Sequence, residues 1–253
     1  MRDPSKPVPR GVYILPNLFT TASLFAGFLS ITMAFAGNFD DAAWAILFSA
    51  LMDGLDGKVA RLTGSASQFG VEYDSLADAI AFGVAPGVLA WAWQLHHFGR
   101  LGLAAAFLFA ACGALRLARF NVSVATTSKR FFIGLPIPAG GCTFATFVLF
   151  LPHLPEFMLG AVPHMALGLS FLAPLLMVSR VRYFSFKEYG FVKAHPFSTL
   201  VSALLIFVLL FSMPRLWAFL ACLGYILSGL IYTFLLLPRR NKQILHHLTQ
   251  QNS

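Results

Sequence analysis

Apolar runs long enough to cross a bilayer recur along this chain, separated only by short polar or Gly/Pro breaks. A hydrocarbon core of ~30 Å takes about 20 residues of helix to cross. Backbone groups inside it must be satisfied within the segment, which for runs of this length means α-helix. Hydropathy and turn signals predict eight spans, at about 16–37, 41–62, 70–95, 101–120, 134–151, 157–179, 197–213 and 214–237. Gly37-Asn38, Gly99, Pro152 with Pro155, and Pro214 mark breaks, and Pro214 would equally suit a kink in one long helix. Composition agrees, with 58% hydrophobic and 11% charged residues, against roughly 25% charged in a soluble domain. That excludes a disordered chain and leaves an ordinary soluble enzyme almost no polar surface. With no internal repeat and no low-complexity linker, residues 1–253 read as one all-α integral membrane domain.

The net charge of +8 would suggest a nucleic-acid partner in a soluble protein. In a membrane protein it reports topology, because cytoplasmic loops carry the excess of Lys and Arg. Placing the N-terminus in the cytoplasm puts 16 of the 18 basic residues inside and leaves only Arg100 and Arg215 outside. Both termini are therefore expected in the cytoplasm, with an even number of spans, which eight spans or six plus two re-entrant segments would satisfy alike. No nucleic-acid partner is expected. The basic, Pro-rich start MRDPSKPVPRGVYILPN is followed by no short apolar core with a small-residue cleavage site, so no removable signal is expected. Cys112, Cys142 and Cys222 all lie in apolar segments without a CxxC, and read as small buried hydrophobes.

The carboxylates carry the chemistry. Of ten acidic residues, Asp53, Asp56, Asp74 and Asp78 fall inside predicted spans, and Glu72 falls nearer a helix end. An Asp at a helix centre costs roughly 2.5–3.5 kcal/mol on insertion scales, so four of them need a function or a partner. Asp53 and Asp56 are three residues apart and Asp74 and Asp78 four, so each pair occupies one helix face. The short polar connection at 63–69 predicts that the two helices are antiparallel neighbours, with all four carboxylates roughly 6–14 Å below the helix ends at 1.5 Å per residue. Carboxylates that close cannot all stay ionised without cations. Hard oxygen ligands in this number, with no His or Cys nearby, suit Mg²⁺ or Mn²⁺. Gly54, Gly57 and Gly70 would leave room where helices or a ligand approach. Spacing alone also admits a proton or ion relay in a transporter, or incidental acids beside helix-pairing glycines.

The run Asp53-Gly-Leu-Asp56-Gly57-Lys-Val-Ala60-Arg61, then eight residues, then Gly70-Val-Glu-Tyr-Asp74-Ser-Leu-Ala-Asp78 resembles the signature of the CDP-alcohol phosphatidyltransferases, DxxDGxxAR–x8–GxxxDxxxD, at every specified position. The resemblance implies transfer of a phosphatidyl group from CDP-diacylglycerol to an alcohol, with release of CMP. It further implies that Asp53, Asp56, Asp74 and Asp78 hold two divalent ions, that Asp78 is also the base, and that Gly57, Ala60 and Arg61 border the CDP moiety. Pro16-Asn17-Leu18-Phe19-Thr20 is similar to the family's first-helix motif and would bring Asn17 and Thr20 to the donor. Read physically, the same residues would serve as a helix start with polar caps.

Three further stretches resemble the serine-using bacterial branch of that family: Arg116-Leu-Ala-Arg119-Phe120-Asn121, Phe132 to Gly140, and Val178 to Lys187. Serine offers a carboxylate and an ammonium group. Arg116 and Arg119 share one helix face, and a guanidinium fork holds a carboxylate bidentately. Snorkelling arginines that anchor a helix end are the plainer reading of the same pair. The resemblance favours phosphatidylserine formation from L-serine in the cytoplasmic membrane of a bacterium, and implies a homodimer. Glycerol 3-phosphate or an inositol phosphate is the alternative acceptor, with Lys129 and Arg130 as extra cations. An ion-coupled transporter is the alternative of another class.

Overall fold

In the computed structural model the described residues are 14–65, 67–123, 131–184 and 211–236, with Ser202, Leu204 and Val208. Lys129, Arg130, Lys187 and most of the expected span at 197–213 lie outside them. Helix α1 (Ile14–Phe35) is followed by α2 (Phe39–Thr63), and then by one apolar run made of α3 (Gln68–Asp78), a π-helical segment (Ala79–Val84) and α4 (Ala85–Trp93). Next come α5 (Gly99–Ser123), β1 (Phe131–Ile133), α6 (Ile137–Phe150), the single turn α7 (Glu156–Leu159), α8 (Val162–Val178), β2 (Arg182–Phe184) and α9 (Pro214–Ile231), which ends in a π turn.

Among the described residues, four helical stretches are long and apolar enough to cross a membrane: Ile14–Phe35, Gln68–Trp93, Leu95–Val122 and Pro214–Leu235. Helices α6 and α8 belong to shorter apolar stretches, and α2 has the length but carries the aspartates. Large side chains such as Phe25, Phe28, Leu103 and Phe107 point outward, as a lipid-facing surface requires. Pro214 starts α9 and does not kink a longer helix, because Met213 has left helical geometry at φ −143°, ψ 73°. The single span expected at 157–179 is divided into α7 and α8.

Helix α1 packs through a stripe of small residues. Thr20, Ser23, Gly27, Ser30 and Ala34 recur every three or four positions and are all buried. A Cβ on Gly27 would lie 2.7 Å from the Cα of Ala81, so only glycine lets α1 approach the π segment this closely. Ser23 and Ser49 hydroxyls meet at 2.7 Å and fasten α1 to α2. The π turn has a local cause. Pro86 follows it, and a proline inside a helix clashes with the carbonyl four residues back and contributes no N–H. The wider turn accommodates this, with the Ala85 N–H reaching back five residues to the Ile80 carbonyl.

The connection after α2 reverses at Gly64, which caps the helix at φ 65°, a conformation natural to glycine. Helices α2 and α3 are not the packed neighbours that the short connection predicts. Helix α1 packs along both, while α2 meets the rest of the run at the π segment and α4. Helix α1 thus joins α2 to α3, whose own backbones do not pack closely. One departure from the all-α expectation is a short antiparallel ladder pairing Phe131–Ile133 with Arg182–Phe184. It joins the chain after α5 to the chain after α8, at the end of the bundle where α2 finishes.

Candidate active site

Both halves of the aspartate motif converge. Asp53, Asp56 and Asp74 each present a carboxylate oxygen, and these oxygens lie within 4.8 Å of one another. The gap between α2 and α3 is what lets the side chains meet without the backbones packing. Asp56 is buried at 4% exposure and accepts a 2.8 Å hydrogen bond on Oδ2 from the Thr20 hydroxyl. Asp78, 9% exposed, closes α3 directly before the π segment, and its Oδ1 is buried without a hydrogen-bond partner. A buried carboxylate oxygen with no donor is costly. Beside three converging carboxylates that oxygen is free to serve as a cation ligand, and an all-oxygen donor set suits a hard divalent ion.

A cavity of about 120 Å³ opens beside the cluster, lined by Asn17, Thr20, Asp56, Gly57, Ala60 and Asp74 together with Pro16, Ser65, Ser67, Gly70 and Val71. The first-helix residues and the motif glycine and alanine are thus brought to one place. Arg61 is exposed, with Nη2 3.9 Å from where a Cβ on Gly57 would stand. The serines of the connecting loop, legible in sequence only as a polar spacer, belong to the cavity wall. Ser67 caps α3 by accepting from the Gly70 N–H at 3.0 Å, a geometry that Ser followed by the start of an apolar run announces. A Cβ on Gly70 would stand 3.2 Å from Ser67 Oγ and 3.4 Å from Asn17 Oδ1. Gly54, by contrast, faces open space, so it relieves no close approach within the chain.

The residues expected around serine divide. The guanidinium of Arg116 lies within electrostatic range of Asp78, and its Nε is buried without a hydrogen-bond partner. Arg119 is exposed and donates through Nη1 to the Val178 carbonyl at 3.2 Å. Asn121 donates to Ser75 Oγ at 3.1 Å, with Glu72 Oε2 at 3.5 Å. Arg119 and Asn121 therefore tie the end of α5 to α8 and α3, while Arg116 interacts electrostatically with Asp78.

Known proteins are similar to this chain. The family model for CDP-alcohol phosphatidyltransferase matches residues 13–176. The chain is 46% identical over 177 residues to the CDP-diacylglycerol–serine O-phosphatidyltransferase of Helicobacter pylori strain J99, covering 70% of this chain and 74% of that protein. Its likeness to the enzyme of the same name from Methanocaldococcus jannaschii runs over 223 residues at 32% identity, covering 88% and 95% of the two chains. An archaetidylserine synthase of Methanothermobacter thermautotrophicus is 39% identical over 137 residues, 53% of this chain and 58% of its own. The matched region contains all four aspartates, the cavity and the helices that build them, and the protein belongs to the CDP-alcohol phosphatidyltransferase family.

Proposed function

We propose that this chain transfers the phosphatidyl group of CDP-diacylglycerol to L-serine, giving phosphatidylserine and CMP. The observation that carries the reading is the convergence of Asp53, Asp56 and Asp74 beside a cavity, in a chain 46% identical to a protein named for that reaction. Asp53, Asp56, Asp74 and Asp78 would hold two divalent ions, Mg²⁺ or Mn²⁺. Bound there, the ions would supply Lewis-acid neutralisation of the donor diphosphate and of departing CMP.

The protein's own groups do the rest. Thr20 orients the Asp56 carboxylate, while Asn17, Gly57, Ala60 and Arg61 receive the CDP moiety. Gly57 and Gly70 leave the cavity open for it. Asp78 takes the proton of the serine hydroxyl as that oxygen attacks the phosphatidyl phosphorus. The bond from phosphorus to the bridging oxygen breaks, and that oxygen leaves with CMP. Arg116, with Arg119 and Asn121 at the rim, receives the serine headgroup. The whole chain would form one domain of eight membrane helices, working as a homodimer in the cytoplasmic membrane of a bacterium. Both termini and the site would face the cytoplasm, where nucleotide and serine are found.

CMP release by purified protein tests this, with CDP-diacylglycerol, Mg²⁺ or Mn²⁺, and one acceptor at a time. Serine-dependent CMP that disappears with a chelator is the expected result. CMP made only with glycerol 3-phosphate or an inositol phosphate would overturn the acceptor. Ion flux without CMP would overturn the enzyme.

A further inference from the structure

The cavity wall runs from the carboxylates to the turn that follows α2. Ser65 lines it there and is 4% exposed. Its backbone is fixed by the way α2 stops. Gly64 adopts the left-handed conformation, and the Ser65 N–H then reaches back to the Ala60 carbonyl at 3.1 Å. This is the bond that closes a helix end through a left-handed glycine. Ala60 is itself a cavity residue, so the turn that ends the helix also fixes the wall.

The Ser65 hydroxyl is oriented as well. Its oxygen lies 2.6 Å from Thr63 Oγ1. A hydroxyl has one proton to donate, and Thr63 donates its own to the Val59 carbonyl at 2.7 Å. The proton between the two hydroxyls is therefore the one on Ser65. With that proton directed at Thr63, Ser65 offers the cavity lone pairs only and acts as an acceptor.

Position matters as much as polarity. Asp56 and Thr63 are both on α2, and the helix between them rises roughly 10 Å at 1.5 Å per residue. A nucleoside diphosphate with its phosphates at the carboxylates would reach this far along the wall with its base. Cytosine carries an exocyclic amino group, a donor, where uracil carries a carbonyl oxygen, an acceptor.

We propose that Ser65, held as an acceptor by Thr63, is a specificity-determining residue for the donor's base. It accepts from the amino group of cytosine and disfavours uracil, whose O4 would meet it lone pair to lone pair. The inference rests on the nucleotide-linked donor of the reading above. Uracil would fit only if Ser65 turned its proton into the cavity and broke the pair with Thr63.

The test compares CDP-diacylglycerol with UDP-diacylglycerol by release of CMP or UMP, using wild type, Ser65→Ala and Thr63→Val. Wild type should favour the CDP-linked donor in kcat/KM by about tenfold or more, the scale of one hydrogen bond against an unpaired buried acceptor. Ser65→Ala removes the acceptor without adding bulk. It should raise the KM for CDP-diacylglycerol about tenfold and shrink the ratio of the two donors. Thr63→Val leaves Ser65 in place but takes away the acceptor of its proton, so the hydroxyl can serve either base. Its ratio should shrink through improved use of the UDP-linked donor. A folding defect would depress both donors alike, so the ratio is the readout. Equal use of the two donors by wild type, or an unchanged ratio in Ser65→Ala, overturns the proposal. An unchanged ratio in Thr63→Val overturns the part given to Thr63. Wild type that releases no CMP from CDP-diacylglycerol with any acceptor overturns the donor reading itself, and the proposal with it.

Discussion

Thr20 and Asp78 reach the carboxylate cluster in different ways, and their variants should fail differently. The Thr20 hydroxyl donates to Asp56 at 2.8 Å, and hydrogen bonds to charged groups are worth about 1.5–3 kcal/mol. Thr20→Val should leave the fold intact and raise the Mg²⁺ concentration for half-maximal CMP release about tenfold. An unshifted metal curve would mean that Asp56 is oriented without Thr20. Asp78→Asn removes a cation ligand and the base together. Its turnover should fall by at least ~10²-fold, the lower end of what a positioned base contributes, while expression and thermal stability hold. Near-normal activity would remove Asp78 from both roles. Gly70→Val crowds Ser67 and Asn17 and should raise the KM for CDP-diacylglycerol, whereas Gly54→Ala, which meets nothing, should not; equal effects from the two would contradict the cavity as donor site. The aspartates were legible in sequence because a charge inside an apolar run demands an explanation. Thr20 and Asn17 were ambiguous because a polar residue at a helix start also caps it. Ser65 lines the cavity through a loop geometry that no residue spacing encodes.

At the scale of the element, α1 decides whether the site exists, because it packs against both α2 and α3. Its approach depends on Gly27, whose Cβ would collide with Ala81 in the π segment. Gly27→Val should push the two apart, with an overpacking cost of typically 1–3 kcal/mol. Thermal unfolding in detergent should show a lowered midpoint and CMP release should fall with it. Gly168→Ala on α8, where nothing lies within 4 Å, should leave both unchanged. A neutral Gly27→Val would mean that α1 tolerates a wider separation. The stripe of Thr20, Ser23, Gly27, Ser30 and Ala34 is visible in the sequence as small residues every three or four positions. The separation of α2 from α3 was not. A short connection says that two helices are consecutive, and it is silent about a third helix that packs against both. The π turn is equally hidden, since Pro86 announces a disturbance of the helix without saying which side absorbs it.

For the whole molecule, the distribution of charge between the two ends of the bundle makes a claim about sidedness. The contacts sort the helix ends. Asp40 at the start of α2 pairs with Arg215 at the start of α9 at 2.9 Å, so these two ends lie together. The β1–β2 ladder and the bond from Arg182 to Thr233 gather the ends of α8 and α9 with the chain after α5. The carboxylate end then holds Lys58, Arg61, Arg116, Arg119, Arg180 and Arg182, and the other end holds Arg100 and Arg215. Basic residues stay in the cytoplasm, so the carboxylate end should face it. In a background lacking Cys112, Cys142 and Cys222, Gly160→Cys should react with an impermeant maleimide added to intact cells. Gln68→Cys should react only after the membrane is opened. Both positions tolerate the change, because a Cβ on Gly160 meets nothing and Gln68 is exposed. The reverse labelling would set the aspartates facing away from the cell's nucleotides. A CDP-linked donor could not then reach them from the cytoplasm, so inverted labelling would weigh against phosphatidyl transfer as well as against the topology.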